Sequence, residues 1–495
     1  MPGLFRLSPG NRSAPTGPSD PSGGGPEPRK TAPGEPGPTV RRMAHFPGEI
    51  GLNPSAVRAT LGDPPRPFRG AVSRGNRPGI LPRRPGPGMM PRIMSTKPDP
   101  IEEIDSTPRR LDSVDAYRGA VMFLMMAEVL ELGRVARSYP GSPIWQALAF
   151  HQSHVLWRGC SLHDMIQPSF SFLVGVALPF SMASRARRGE PARAAVVHAA
   201  WRAFVLVALG VLLRSIGRKQ TNYTFEDTLS QIGLGYFPLY LIALARPFWR
   251  WVALAAILVG YWGAFALYPA PGAGFDYPAL VAPADMEHLA TGFASHWNKN
   301  SNLAWAFDRR FLNLFPRESP FTHNGGGYAT LSFIPTLGTM LLGLIAGGWL
   351  RGQGGPWGKV GRMALAGAIG VASGMALDRL GLCPAVKRIW TPSWVLFSGG
   401  ICLATLGAAH GAVDTAGAGR WTYPLRVVGR NSIAAYCLAH LVDKFFISNF
   451  HTHFIGDMKK FEGLPYHHII DGTVALAALW LVLFWMDRRR VYLKI

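Results

Sequence analysis

The stretch VVHAAWRAFVLVALGVLLRSI (196–216) decides the fold. Its apolar residues keep neither the one-sided stripe of a surface helix nor the alternation of a strand; they cover every face. Runs of this kind, roughly 17 to 21 residues long, match the length of one α-helix crossing a hydrocarbon core. WVALAAILVGYWGAFALY (251–268) and GTVALAALWLVLFWM (472–486) repeat the pattern. A β-barrel would need short alternating segments instead. The chain therefore reads as all-α, a polytopic integral membrane helical bundle of about ten transmembrane helices. The expected spans lie near 116–133, 164–183, 196–216, 230–246, 251–268, 328–350, 362–381, 393–410, 428–448 and 470–486.

Residues 1–100 differ in kind. They are rich in Pro, Gly, Ser and Arg, with no sustained apolar period. Such a segment buries too little surface to offset its chain entropy, so it is expected to be a disordered tail. It has no apolar h-region of a secretory signal. Met94 opens a stretch that reads like a natural start, so the preceding residues are equally well an over-extended beginning. Residues 101–495 form the expected membrane domain.

The formal charge of +22 does not point to nucleic acid. Its Lys and Arg residues sit in the tail and in short loops between apolar runs, where they orient helices and meet anionic lipid. The loop RARRGEPARAA (185–195) and the ending DRRRVYLKI place both on the cytoplasmic side of a cell (inner) membrane. An even number of spans puts Arg109 and Arg110 there too, and the loop 151–165 on the extracytoplasmic face. The four cysteines form no CxxC pair; Cys402 and Cys437 fall inside spans, and Cys160 and Cys383 share the outer face.

That outer loop carries the candidate chemistry. His154 is a neutral base near physiological pH, or a nucleophile towards a thioester; the plainer reading is an interfacial histidine. Asp164 either caps the next helix or orients a histidine and stabilises its charged form. His151 and His163 are weaker candidates. Glu128 and Glu131 end the first span, where a carboxylate normally faces a bundle interior or a wet cavity. Asp115 and Arg118 stand i,i+3 on one helix face and can simply pair. His451, His453, His467 and His468 lack carboxylate or thiolate partners in sequence, so no metal site is expected. The glycine-rich GGGYATLSFIPTLG (325–338) lacks the lysine and spacing of a phosphate loop and leads flexibly into a span. Asn431 in NSIAAY either caps a helix or reaches into a cavity.

Two segments together carry a resemblance. RLDSVDAYRG (110–119) and HVLWRGCSLHDMIQPSFSFLVG (154–175) resemble the heparan-α-glucosaminide N-acetyltransferase family and its bacterial relatives. The first matches the family's Ser-x-Asp-x-x-Arg-Gly motif at Ser113, Asp115, Arg118 and Gly119. The second matches His-x-x-Trp-x-Gly-x-x-x-x-Asp followed by Pro, at His154, Trp157, Gly159, Asp164 and Pro168. Weaker matches fall at Gln231, Lys387, Trp390, Ser393, Asn431 and Ser432. The resemblance covers roughly 109–490.

The resemblance implies a membrane acyltransferase moving acetyl from cytoplasmic acetyl-CoA to an extracytoplasmic amino sugar or glycan. It puts the active histidine on His154, as base or transient acyl carrier, with Asp164 in support. Trp157, Arg158, Glu128, Asn431 and Lys387 are then expected around the acceptor, and Arg118 and Asp115 towards CoA. Acetyl-CoA enters as co-substrate, with no metal; the remaining partners are the acceptor, the bilayer and, as an open assembly state, a second copy. Departures fall on the acceptor side: Glu128 or Val129 stands near the family's late-span Asn, Arg158 replaces an Asn, and Met165 replaces a Leu. The family's glycan is therefore not carried over, and residues 1–100 do not have the make-up of a folded lumenal domain. The alternative is a membrane transporter or glycan-binding protein without acyl transfer, which would favour internal repeats with broken helices.

Overall fold

A computed structural model describes residues 111–493. The expected tail, the start near Met94 and the pair Arg109–Arg110 lie outside these residues. Among them, the secondary structure is helical apart from one isolated bridge between Arg158 and Val386. The first half comprises α1 (Asp112–Met126), α2 (Leu132–Ser138), α3 (Pro143–His151), α4 (Ile166–Arg187), α5 (Ala192–Ser215), α6 (Thr228–Leu244) and α7 (Pro247–Leu267). The short α8 (Pro283–Met286) and α9 (Leu303–Phe311) follow, then α10 (Phe333–Arg351), α11 (Pro356–Arg379) and α12 (Pro392–Ala409). The chain closes with α13 (Tyr423–Arg430), α14 (Ser432–Leu441), α15 (Asp443–Phe454), α16 (Met458–Glu462) and α17 (His467–Arg488).

Local chemistry sets the starts. α7, α11 and α12 begin on a proline, where the missing N–H would have had no partner. Asp227 caps α6, accepting from the backbone N–H groups of Leu229 and Ser230 at 3.0 Å each.

Seven described helices are long and apolar enough to cross a membrane: α4 with its preceding turn, α5, α7, α10, α11, α12 with its following turn, and α17. The protein is a multi-pass helical membrane protein. The other three expected spans are realised as shorter helices. The core of α10 is 78% buried, against 17% for α7 and α11, so α10 is central and the other two turn their side chains outward. α10 reaches α4 because a Cβ on Gly343 or Gly347 would strike the backbone of Phe172 or Val176. α11 and α12 meet the same way: a Cβ on Gly367 would lie 2.8 Å from the Gly400 carbonyl, and one on Gly400 2.6 Å from that of Gly367. Close backbone approach replaces the hydrophobic drive that lipid does not supply.

Two expected spans are broken. The helix expected over 116–133 stops at Met126, tightens into a 3-10 turn over Ala127–Leu130 and reverses at Glu131, φ 45°. Gln152 takes over the freed backbone groups: its Nε2 donates to Ala127 O and its Oε1 accepts from Leu132 N, both at 2.6 Å. The helix expected over 428–448 is cut at Asn431 and Val442 into α13, α14 and α15. The Asn431 amide donates to Val491 O at 3.0 Å and its Oδ1 accepts from Leu493 N, tying the break to the C-terminal segment.

Successive spans alternate direction. The loop before α4, the segment before α6, the long 268–332 connection, the 380–391 turn and α15–α16 gather at one end, the site end. A second apolar cluster there, the cap cluster, joins Trp157, Trp297, Tyr261, Phe265, Cys383, Val386 and Ile389. The C-terminal segment and the loops 188–191, 352–355 and 416–422 form the opposite, tail end.

Candidate active site

The loop 152–165 is held by its own motif residues. Trp157 is buried in the cap cluster and its Nε1 donates to Trp297 O at 3.2 Å. Gly159 has φ 120°, a conformation that side chains disfavour, and its N–H donates to Ala385 O. Asp164 then closes the loop on itself. Its Oδ2 accepts from Ser161 N and Ser161 Oγ at 3.0 Å each and from Val155 N at 3.3 Å.

The other carboxylate oxygen builds the centre. Asp164 Oδ1 lies 2.8 Å from His154 Nδ1 and 3.1 Å from Lys387 Nζ. Lys387 Nζ is also 3.1 Å from His154 Nδ1. Both nitrogens are donors towards the one carboxylate, so Nδ1 carries the proton and Nε2 is left with its lone pair. Asp164 and Lys387 are almost fully buried, whereas 38% of the His154 side chain is exposed. Burial, aided by the Lys387 charge, holds the His154 imidazole below its ordinary value, against the opposing pull of Asp164. Burial likewise lowers Lys387, against the same carboxylate.

Lys387 arrives there through a strained turn. Trp390 adopts φ 49°, donates its backbone N–H to Lys387 O at 2.9 Å, and is pinned by Nε1 donating to Thr339 Oγ1. A second pair flanks the first: His163 Nε2 lies 2.7 Å from Glu128 Oε1, and the His163 and His154 ring centroids are 4.6 Å apart. Cys160 is no competing nucleophile, because burial pushes its thiol up to about 12.

His154, His163, Glu128 and Lys387 line a cavity of about 520 Å³ opening at the site end. A second cavity of about 300 Å³ runs towards the tail end. Phe170, Thr228 and Tyr436 line both, so the two are neighbours inside the bundle. The second is walled largely by apolar residues such as Met122, Val174, Leu178, Leu206 and Ile232, with Arg118, Arg202 and Arg430 on its wall.

The remaining candidates lie elsewhere. Trp157 and Arg158 border neither cavity; the Arg158 guanidinium is held by Asp378, 2.7 Å from its carboxylate and 3.0 Å from its carbonyl. Asn431 binds the C-terminal segment, while its neighbour Ser432 lines the inner cavity. Asp115 sits at the tail end beside Arg118 and Arg430. His151 accepts from Leu162 N within the loop. His451 pairs with Asp471 and His468 with Glu131, and the four cysteines are free. No group of three metal-ligating side chains occurs among the described residues. No local pattern marks Gln152, Phe170, Thr228 or Tyr436, whose parts depend on which helices become neighbours.

Fold and cavities define the class: a multi-pass α-helical membrane protein with a His–Asp–Lys centre open to a polar chamber. The chain is similar to heparan-alpha-glucosaminide N-acetyltransferase of Homo sapiens, 24% identical over 434 residues that cover 79% of this chain and 61% of that protein. The Mus musculus protein of the same name is 22% identical over 435 residues, with the same coverage. The chain thus spans about 61% of the length of these relatives. No family model matches it.

Proposed function

We propose that the membrane domain, 101–495, is an acetyltransferase that takes acetyl from cytoplasmic acetyl-CoA and delivers it to an amino sugar or glycan on the extracytoplasmic face. The observation that carries this reading is the pair of adjacent cavities that share Phe170, Thr228 and Tyr436 as lining, with His154 on one side and three arginines on the other. CoA has matching chemistry: phosphates that need cations, then a narrow pantetheine arm that tolerates an apolar channel, then the thioester. Arg118 and Glu128, ten residues apart along α1 and its extension, are separated by roughly 15 Å, a distance that such an arm can span. The basic loop after α4 and the basic C-terminus lie at the arginine end, which supports its being cytoplasmic.

The thioester is already activated, so the protein positions two reactants and takes one proton. His154 Nε2 accepts that proton from the attacking amine. Asp164 fixes the tautomer and stabilises the imidazolium that forms. Lys387 keeps the resting imidazole neutral and Asp164 ionised. A base so placed contributes about 10²–10⁴ in rate.

The test is reconstitution in vesicles, with labelled acetyl-CoA on the tail side and amino sugars on the other. Labelled N-acetyl product is expected in wild type, falling at least about a hundredfold in His154→Ala. Unchanged transfer in that variant removes His154 from the mechanism; no CoA binding favours a transporter.

A further inference from the structure

α7 supplies a depth scale for the site end. Its 21 residues rise about 31 Å, the thickness of a hydrocarbon core. Only 17% of its apolar window is buried in the bundle, so its sides stand in lipid. Leu267, its last residue, is 88% exposed. Tyr268, one residue further, then lies at the level of the lipid phosphates.

At that level α9 packs beside the end of α7, with Ala304 and Phe265 in the same cap cluster. α9 is two-sided. Ala304, Asp308 and Leu312 are buried at i, i+4 and i+8, and Asp308 turns inward, its Oδ2 accepting from Thr330 N at 2.9 Å. The other side exposes Phe307, Arg309, Arg310 and, just past the helix, Leu314 at 78%. A hollow of about 650 Å³ lies between α9 and Tyr268, within the range of small-molecule sites, roughly 300–1,000 Å³. No carboxylate lines it, and none of its lining belongs to the two cavities of the active site. Arg309 is stacked over the Trp305 ring at 4.8 Å, and Trp305 Nε1 donates to Thr322 O. Neither Arg309 nor Arg310 has an acidic partner among the described residues.

Such a surface suits neither pure solvent. Water leaves Leu267, Phe307 and Leu314 wet, and hydrocarbon leaves two guanidinium groups bare; the boundary between them satisfies both. A phosphate takes paired N–H bonds from arginine, and the acyl carbons below it cover the leucines.

We propose that this hollow binds an anionic glycerophospholipid of the leaflet at the site end, phosphate on Arg309 and Arg310 and chain along Leu267 and Leu314. The bound lipid fastens the cap cluster to the membrane. That cluster includes Trp297, whose carbonyl holds Trp157 in the His154 loop, so the lipid steadies the loop from outside.

The test is photo-crosslinking of the full chain in phosphatidylcholine vesicles that contain a small fraction of a diazirine-bearing phosphatidylglycerol, with labelled peptides mapped by mass spectrometry. Label is expected between Leu303 and Leu314. Unlabelled phosphatidylglycerol should compete about tenfold better than phosphatidylcholine, the effect of one charge-assisted hydrogen bond. Arg309→Gln with Arg310→Gln should cut labelling there about tenfold, while labelling around Arg250 at the tail end stays unchanged. Both arginines are exposed, so that variant should melt as wild type does in lipid-free detergent. Leu314→Glu keeps the arginines and should also lose label, through like charge beside the phosphate. Absence of label on α9, or equal competition by phosphatidylcholine, overturns the proposal. Soluble glycerol 3-phosphate competing as well as the lipid would make this a free-phosphate site and overturn it too. So would a change in oligomeric state in the arginine variant with labelling intact, which would make the face an interface between copies.

Discussion

Asp164→Asn separates orientation of the base from stability of the fold. In the native structure the carboxylate accepts from His154, Lys387, Val155 and twice from Ser161. The amide keeps the size but exchanges one oxygen for a donor. Facing Nδ1, that donor favours the tautomer with Nε2 protonated, and the base is lost. Removing the equivalent carboxylate in the Ser-His-Asp proteases costs about 10⁴ in kcat, so a loss of about 10³–10⁴ is expected here, with KM for acetyl-CoA unchanged. The variant also leaves the Lys387 ammonium, only 5% exposed, without its counter-charge, a defect of about 3–5 kcal/mol. Adding Lys387→Met removes that charge. The double variant should recover most of the lost thermal stability and none of the lost rate. Initial rates of labelled acetyl transfer and thermal unfolding in detergent read the two effects. A single variant within fivefold of wild-type kcat would refute the orienting role, and a double variant no more stable than the single would refute the buried-pair argument.

Other outcomes follow from the same geometry. The neutral His154 is the active form and its protonation is disfavoured by burial and by Lys387, so the acid limb of kcat/KM should fall below the free-imidazole value of about 6.5. Lys387→Met should move that limb upward in a pH–rate profile, since Asp164 then acts unopposed. Arg118→Gln should raise KM for acetyl-CoA about tenfold with little change in kcat, if Arg118 meets a phosphate. Trp157→Ala empties the centre of the cap cluster, and melting should show a loss of about 3–5 kcal/mol with no shift in the pH limb.

The residue pattern carried much of this. Continuous apolar runs required membrane helices because unpaired backbone groups cannot face lipid, and that argument is local. His154 and Asp164 were legible together because ten residues of loop were enough to return the carboxylate to the imidazole. The helix breaks were less legible. Nothing within 116–133 announces a stop at Met126; the reason is Gln152, a side chain from beyond the next two helices. Lys387 gave only a weak signal, because it joins His154 across 233 residues through a strained Trp390 turn. Arg158 misled for the converse reason: its place in the motif suggested the acceptor, but Asp378 on α11 holds it.

The sequence by itself determined the class of fold, the loop that bears the histidine and the carboxylate that faces it, since each depends on hydropathy or on short-range spacing. Tertiary structure alone decided that a lysine would complete the centre and that two cavities would lie side by side near it. Those features are set by the side chains that distant helices bring to one wall, and helix neighbours are chosen by the close fit of small residues such as Gly343 and Gly400, whose partners lie far away in the chain.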